Sequence, residues 1–79
     1  MKLIAIQDNV QALSGPETIV LVDLKIRRRM VVTAKDKPTR IKLEKELTDL
    51  FPEYGVAEGV AVFAEEMENT FDCKWTYLK

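Results

Sequence analysis

The stretch TIVLVDLKIRRRMVVT, residues 18–33, decides the fold class of this chain. From Thr18 to Ile26 it sets Val20, Val22, Leu24 and Ile26 on one side and Asp23, Lys25 and Arg27 on the other, the two-residue period of a strand. A helix competes for the same residues, because Ser14 and Glu17 stand at capping-box spacing and Ile19, Val22, Ile26 and Met30 recur at helical intervals. Consecutive β-branched residues decide for the strand: they lose rotamer freedom in a helix and pack well on a pleated surface. Met30 to Thr33 extends this strand or pairs with it. Between the two apolar stretches, Arg27, Arg28 and Arg29 include no Gly, Asn or Pro, so the sequence leaves open whether they turn the chain or bend one long strand.

Toward the N-terminus, Ser14, Gly15 and Pro16 break the preceding element, and Val10 to Leu13 is too short to classify. Residues Lys2 to Gln7 read as a strand buried on both faces, a short apolar run followed at once by the turn formers Asp8 and Asn9. Toward the C-terminus, Lys35 to Pro38 reads as a loop, with Asp36 or Thr39 placed to cap a helix. Leu43, Leu47, Leu50 and Phe51 fall at i, i+4, i+7 and i+8 of that helix, and Pro52 with Gly55 stops it. Ile41 lies about 160° from Leu43 around the axis, at roughly 100° per residue, and has to meet something other than the core. Val56, Val60, Phe63, Ala64 and Met67 share one face of a second helix, about Ala57 to Glu68. Phe71, Cys73, Trp75 and Tyr77 then alternate with Asp72, Lys74 and Thr76, which predicts a last strand with one buried aromatic face. The expected architecture is a single α+β domain over residues 1–79, a small two-layer body of two to four mostly antiparallel strands packed against two helices.

Seventy-nine residues can enclose one apolar core near the lower size limit for unaided folding, a situation that dimerisation relieves. Hydrophobic residues make up 47% and charged residues 32%, which favours a folded globule over a disordered segment. The single cysteine, Cys73, excludes an internal disulfide and the paired-cysteine zinc patterns, and fits a reducing, cytoplasmic compartment. No stretch approaches the roughly 20 apolar residues of a spanning helix, so no membrane association is expected. Charge is uneven: residues 1–43 carry nine Lys/Arg and four Asp/Glu, residues 44–79 three and nine, so the halves stand at +5 and −6. Such asymmetry bears on partners and not on fold.

Histidine is absent, which removes the side chain best suited to proton transfer near neutrality and makes Ser–His and Cys–His pairs impossible within one chain. Ser14 reads as a turn hydroxyl and Cys73, alternating with Phe71 and Trp75, as a buried unreactive thiol. Glu65, Glu68 and Asp72 read as a solvated acidic face, because a Mg²⁺ or Ca²⁺ site needs more ligands and a wrapping loop. Gly15, Gly55 and Gly59 fit no phosphate-binding loop. No catalytic residue, cofactor or metal is therefore expected.

Two partial resemblances exist. From Arg28 to Asn69 the order strand, helix, helix resembles that of ribbon-helix-helix DNA-binding dimers, which implies DNA binding; the short turn and the second-helix phosphate contacts of that family are missing, and Glu65, Glu66 and Glu68 stand on the second helix instead. Gly55 to Asp72 resembles the second helix of acyl carrier proteins. Ala57 stands where the attachment serine would be, and the carrier function does not carry over.

The reading that emerges is a non-enzymatic adaptor or regulator binding a protein partner, expected as a homodimer, with a compact form that suits a phage or mobile-element accessory protein. The expected partner-binding residues are Arg27, Arg28, Arg29, Ile41, Trp75 and Tyr77. Trp and Tyr are enriched among interface anchors, and a terminal strand offers an edge for pairing. The alternative is a nucleic-acid binder using Arg27 to Arg29.

Overall fold

The fold is that of a computed structural model, which describes residues 1–78; Lys79, the last residue of the expected domain, lies outside the described residues. Strands β1 (Lys2–Gln7), β2 (Val10–Ser14), β3 (Thr18–Asp23) and β4 (Arg28–Thr33) precede a helical segment, α1 (Lys37–Phe71), and a two-residue strand, β5 (Thr76–Tyr77). All five strands join one antiparallel sheet in the order β1-β2-β3-β4-β5. The first four form a meander, which needs only short reversals, and the sequence supplies them at Asp8 and Asn9, at Gly15 and Pro16, and at Leu24 to Arg27, whereas β5 returns to β4 after α1. Gly15 N–H donates to the Thr18 carbonyl at 2.8 Å to close the second reversal.

α1 lies across one face of this sheet. Asp36, with extended φ and ψ of −158° and 172°, caps its start by accepting the Thr39 N–H at 2.8 Å, and Pro38 occupies the first turn, where no N–H is needed. A straight helix of 35 residues would run about 52 Å, at 1.5 Å per residue, whereas the molecule is 31 Å in its longest dimension, so the segment has to fold back. It does so at Gly55, whose φ of 80° and ψ of 175° belong to backbone that only glycine adopts readily. The break frees N–H groups at the start of the second leg, and one of them, on Ala57, donates to Gln7 Oε1 at 3.1 Å. Gly59 lets the two legs approach: a Cβ there would lie 3.0 Å from Phe51 Cδ1. The C-terminus turns off at Asp72, in left-handed conformation with φ of 54°, where the N–H groups of Asp72 and Cys73 converge on the Met67 carbonyl.

The core fills the space between the layers. Ala12, Ile19, Leu21, Met30, Val32 and Ala34 come from the sheet side and Leu43, Leu47, Val60, Phe63, Ala64 and Met67 from α1. The expected helix stripes face the core, with Leu50, Phe51 and Val56 only partly buried, and the two expected helices are two legs of one segment broken at Gly55; Pro52 does not stop the first leg, which runs on to that break, and the second runs past Glu68 to Phe71.

Several expectations need correction. The sheet has five strands, because Val10–Ser14 is a strand in register with both neighbours; its shortness hid it. The arginine triplet neither bends one strand nor forms a turn by itself: Leu24 to Arg27 reverse the chain, Arg27 taking φ of 52°, and Arg28 and Arg29 open β4. The alternating set Val20, Val22, Leu24 and Ile26 is not the buried side, since Ile19 and Leu21 fill the core and Leu24 and Ile26 are exposed in the reversal. β1 is an edge strand and not buried on both faces. The last strand is only Thr76–Tyr77; Phe71 ends the helix exposed and Tyr77 is 67% exposed, so the aromatic alternation does not make a buried face. β4 lies between β3 and β5, unlike the lone pairing strand of a ribbon-helix-helix chain.

Candidate functional site

Five of the six expected partner-binding residues meet at the β4–β5 edge. Arg27 holds the reversal, and its carbonyl accepts the Leu78 N–H at 2.6 Å. Arg28 and Arg29 pair with Tyr77 and Thr76 across the strands. The Arg28 guanidinium carbon lies 3.9 Å from the centre of the Trp75 ring, close enough for a cation–π interaction, and its Nε has no hydrogen-bond partner. Trp75 is half-buried against the core, so this contact ties β5 to the domain. Ile41 stands apart, 50% exposed early in α1, which starts from the other end of β4. The three arginines do not form one stripe: side chains alternate along a strand, so Arg28 lies on the α1 side with Asp23 and Arg29 on the opposite face with Val22.

That opposite face is the feature the sequence reading missed. Cross-strand register sets Leu3 beside Leu13, Leu13 beside Val20, and Val20 beside Val31. These side chains form an unbroken aliphatic row across β1 to β4, spanning about 14 Å at ~4.8 Å per strand. The next row holds Ile6, Gln11, Val22 and Arg29, and the far end holds Thr18 and Thr33. No element covers this face among the described residues, and Leu3, Ile6 and Val31 are 48%, 54% and 46% exposed. An antiparallel sheet with one solvated face ordinarily turns polar residues outward, whereas a contiguous apolar patch marks a surface that meets something.

Local irregularity explains why both Leu3 and Ile6 reach this face although three positions apart. The β1–β2 register shifts between Leu3 and Ala5, placing an extra residue, Ile4, which packs on the core. A readable signal did exist in β3 and β4, where Ile19 to Val22 and Met30 to Val32 are apolar at both parities and so supply both faces at once.

A second concavity, of ≈ 450 Å³, lies between the end of β4 and the start of α1, with Val32, Leu43 and Phe71 as apolar lining and Lys35 and Lys42 beside them. Candidate nucleophiles are poorly placed. Ser14 is buried on the α1 side of the sheet. Burial, aided by the neighbouring Asp72 carboxylate, pushes the Cys73 thiol above its ordinary pKa, which lowers its thiolate fraction near neutrality. Among the described residues no three Cys, Asp or Glu side chains converge into a metal-holding group, and no helix is long and apolar enough to cross a membrane. No protein-family model matches the chain, and no curated protein or solved structure matches it.

Proposed function

We propose that this chain is a small non-enzymatic binding module, an adaptor or regulator that works in the cytoplasm by docking a polypeptide on the open face of its sheet. The observation that carries this reading is the aliphatic row Leu3, Leu13, Val20 and Val31, which lies in register over four strands with no layer above it among the described residues. Burying such a row removes apolar area from water, worth about 25 cal/mol per Å², and the sheet needs no rearrangement to offer it. Arg29, Gln11, Thr18 and Thr33 border the row and supply the polar rim of a typical interface.

The rival reading, phosphate binding by Arg27 to Arg29, draws less support. Arg28 is engaged with Trp75, and Arg28 and Arg29 lie on opposite faces. Phosphate binding needs several cations along one surface.

A photo-crosslinking residue in place of Leu13, introduced in the native cell, tests the proposal. A polypeptide adduct from position 13, and none from the same residue in place of the exposed Glu66, is the expected result. Absence of any polypeptide adduct from position 13 would overturn it.

A further inference from the structure

We infer that the occupant of the open face is a second copy of this chain, the two sheets packing face to face about a two-fold axis that runs parallel to the strands. The inference rests on the reading of that face as a docking surface and goes further by naming what docks.

Area is the first argument. The body is nearly equiaxed, 31 × 29 × 25 Å, so one of its six sides holds about a sixth of the 5166 Å² surface, on the order of 860 Å². A stable interface takes about 800 Å² from each partner. A sheet face that fills one side of the body is therefore of the size a standard dimer uses, and covering it adds a second apolar layer to a chain of this size.

Charge is the second. A surface that meets its own copy has to avoid setting like charges against each other. Within β1 to β4 the open-face positions carry a single formal charge, Arg29, at the border of the patch. The position of that charge selects the axis. With the axis along the strands, β4 of one protomer lies over β1 of its partner with the same strand ends together. The aliphatic row then stacks on itself, Leu13 over the partner's Val20 and Leu3 over the partner's Val31. Arg29 then lies over the partner's Ile6, at the end of β1 that leads into Asp8, and this approach occurs twice by symmetry. With the axis across the strands each strand lies over its own copy, so Arg29 would instead approach Thr33 at the end of β4 that leads into Lys35, and Val22 would face Thr18. Both arrangements stack the aliphatic row on itself; the first brings Arg29 toward the acidic Asp8 and the second brings it toward the basic Lys35, which favours the first.

Sedimentation equilibrium of the purified full chain across the micromolar range, with the Leu13 crosslinker variant beside it, tests this. The expected mass is that of two chains, with an adduct of two chains from position 13. Val20→Lys, whose side chain points away from the core, should weaken association by about 100-fold or more, because the change enters the centre of the interface twice. Should that variant misfold, Arg29→Glu supplies the second measurement: a weakening of about 5- to 10-fold, reversed in Arg29→Glu with Asp8→Lys. A one-chain mass at 100 µM, or a two-chain mass that none of these variants changes, overturns the inference. A one-chain mass together with a heterologous adduct from position 13 in cells sinks the second copy alone and leaves the docking reading intact; no adduct in either setting removes both.

Discussion

The two faces of the sheet are built from the same few strands and nearly the same residue types, yet only one is covered. On the α1 side Ile19, Leu21, Met30 and Val32 are buried under Leu47, Phe63 and Met67. On the other side Val20, Val22 and Val31 stand one residue along the same strands, with nothing above them among the described residues. The difference separates two uses of hydrophobicity: one face supplies the free energy that folds the chain, and the other holds free energy available for association.

The largest expected effects break that comparison directly. Leu21→Ala should cost about 2–5 kcal/mol of unfolding free energy, since it opens a cavity in a core that leaves Leu21 no exposed area. Val20→Ala, measured by urea unfolding of protein dilute enough to be dissociated, should cost under about 1 kcal/mol. Equal losses at the two positions would mean that both faces are structural. Next comes Gly55→Ala, which tests how the covering layer is folded. A Cβ at φ of 80° forces strained backbone at the break, and a loss of about 1–3 kcal/mol in thermal or urea unfolding is expected.

A smaller effect is expected at the edge between the faces. Arg28→Ala removes the cation from the ring of the only tryptophan, Trp75, so its emission should move to the red as β5 loosens, with a stability loss of about 1 kcal/mol. The smallest concerns the start of the covering layer. Hydrogen bonds from the Thr39 side chain and backbone hold the Asp36 carboxyl below its ordinary pKa. A depressed folded-state pKa means that the cap's contribution is complete above the unfolded value, about 3.9, and is lost as pH falls through the folded value. The melting temperature of Asp36→Ala should therefore lie slightly below wild type at pH 6, and the gap should narrow as pH falls below the unfolded value of about 3.9.

Much of this architecture was legible in the sequence. The stripes Leu43 to Phe51 and Val56 to Met67, and the break at Gly55, depend on local periodicity and on one residue's conformational freedom, which neighbouring letters encode. The number of strands was not, because Val10–Ser14 is defined by pairing with β1 and β3 and not by its own length. Nor were the face assignments. A run such as Ile19 to Val22 offers aliphatic side chains to both sides, and which side α1 covers is settled only by the connection through Ala34 and Asp36. Nor is the pairing of β5 with β4 legible, where Arg28 stacks on Trp75 and lies opposite Tyr77. The aliphatic row was overlooked because its members come from four strands and acquire meaning only in register.

Methyl-resolved NMR with a soluble paramagnetic probe reaches the central claim most directly. In protein at working concentration the methyl groups of Leu3, Leu13, Val20 and Val31 should be shielded nearly as well as those of Ile19 and Leu21, while Ile41 relaxes rapidly, and the shielding should vanish on dilution. Methyl groups of the row that relax as fast as Ile41 at every concentration, alone and in host extract, would contradict the account.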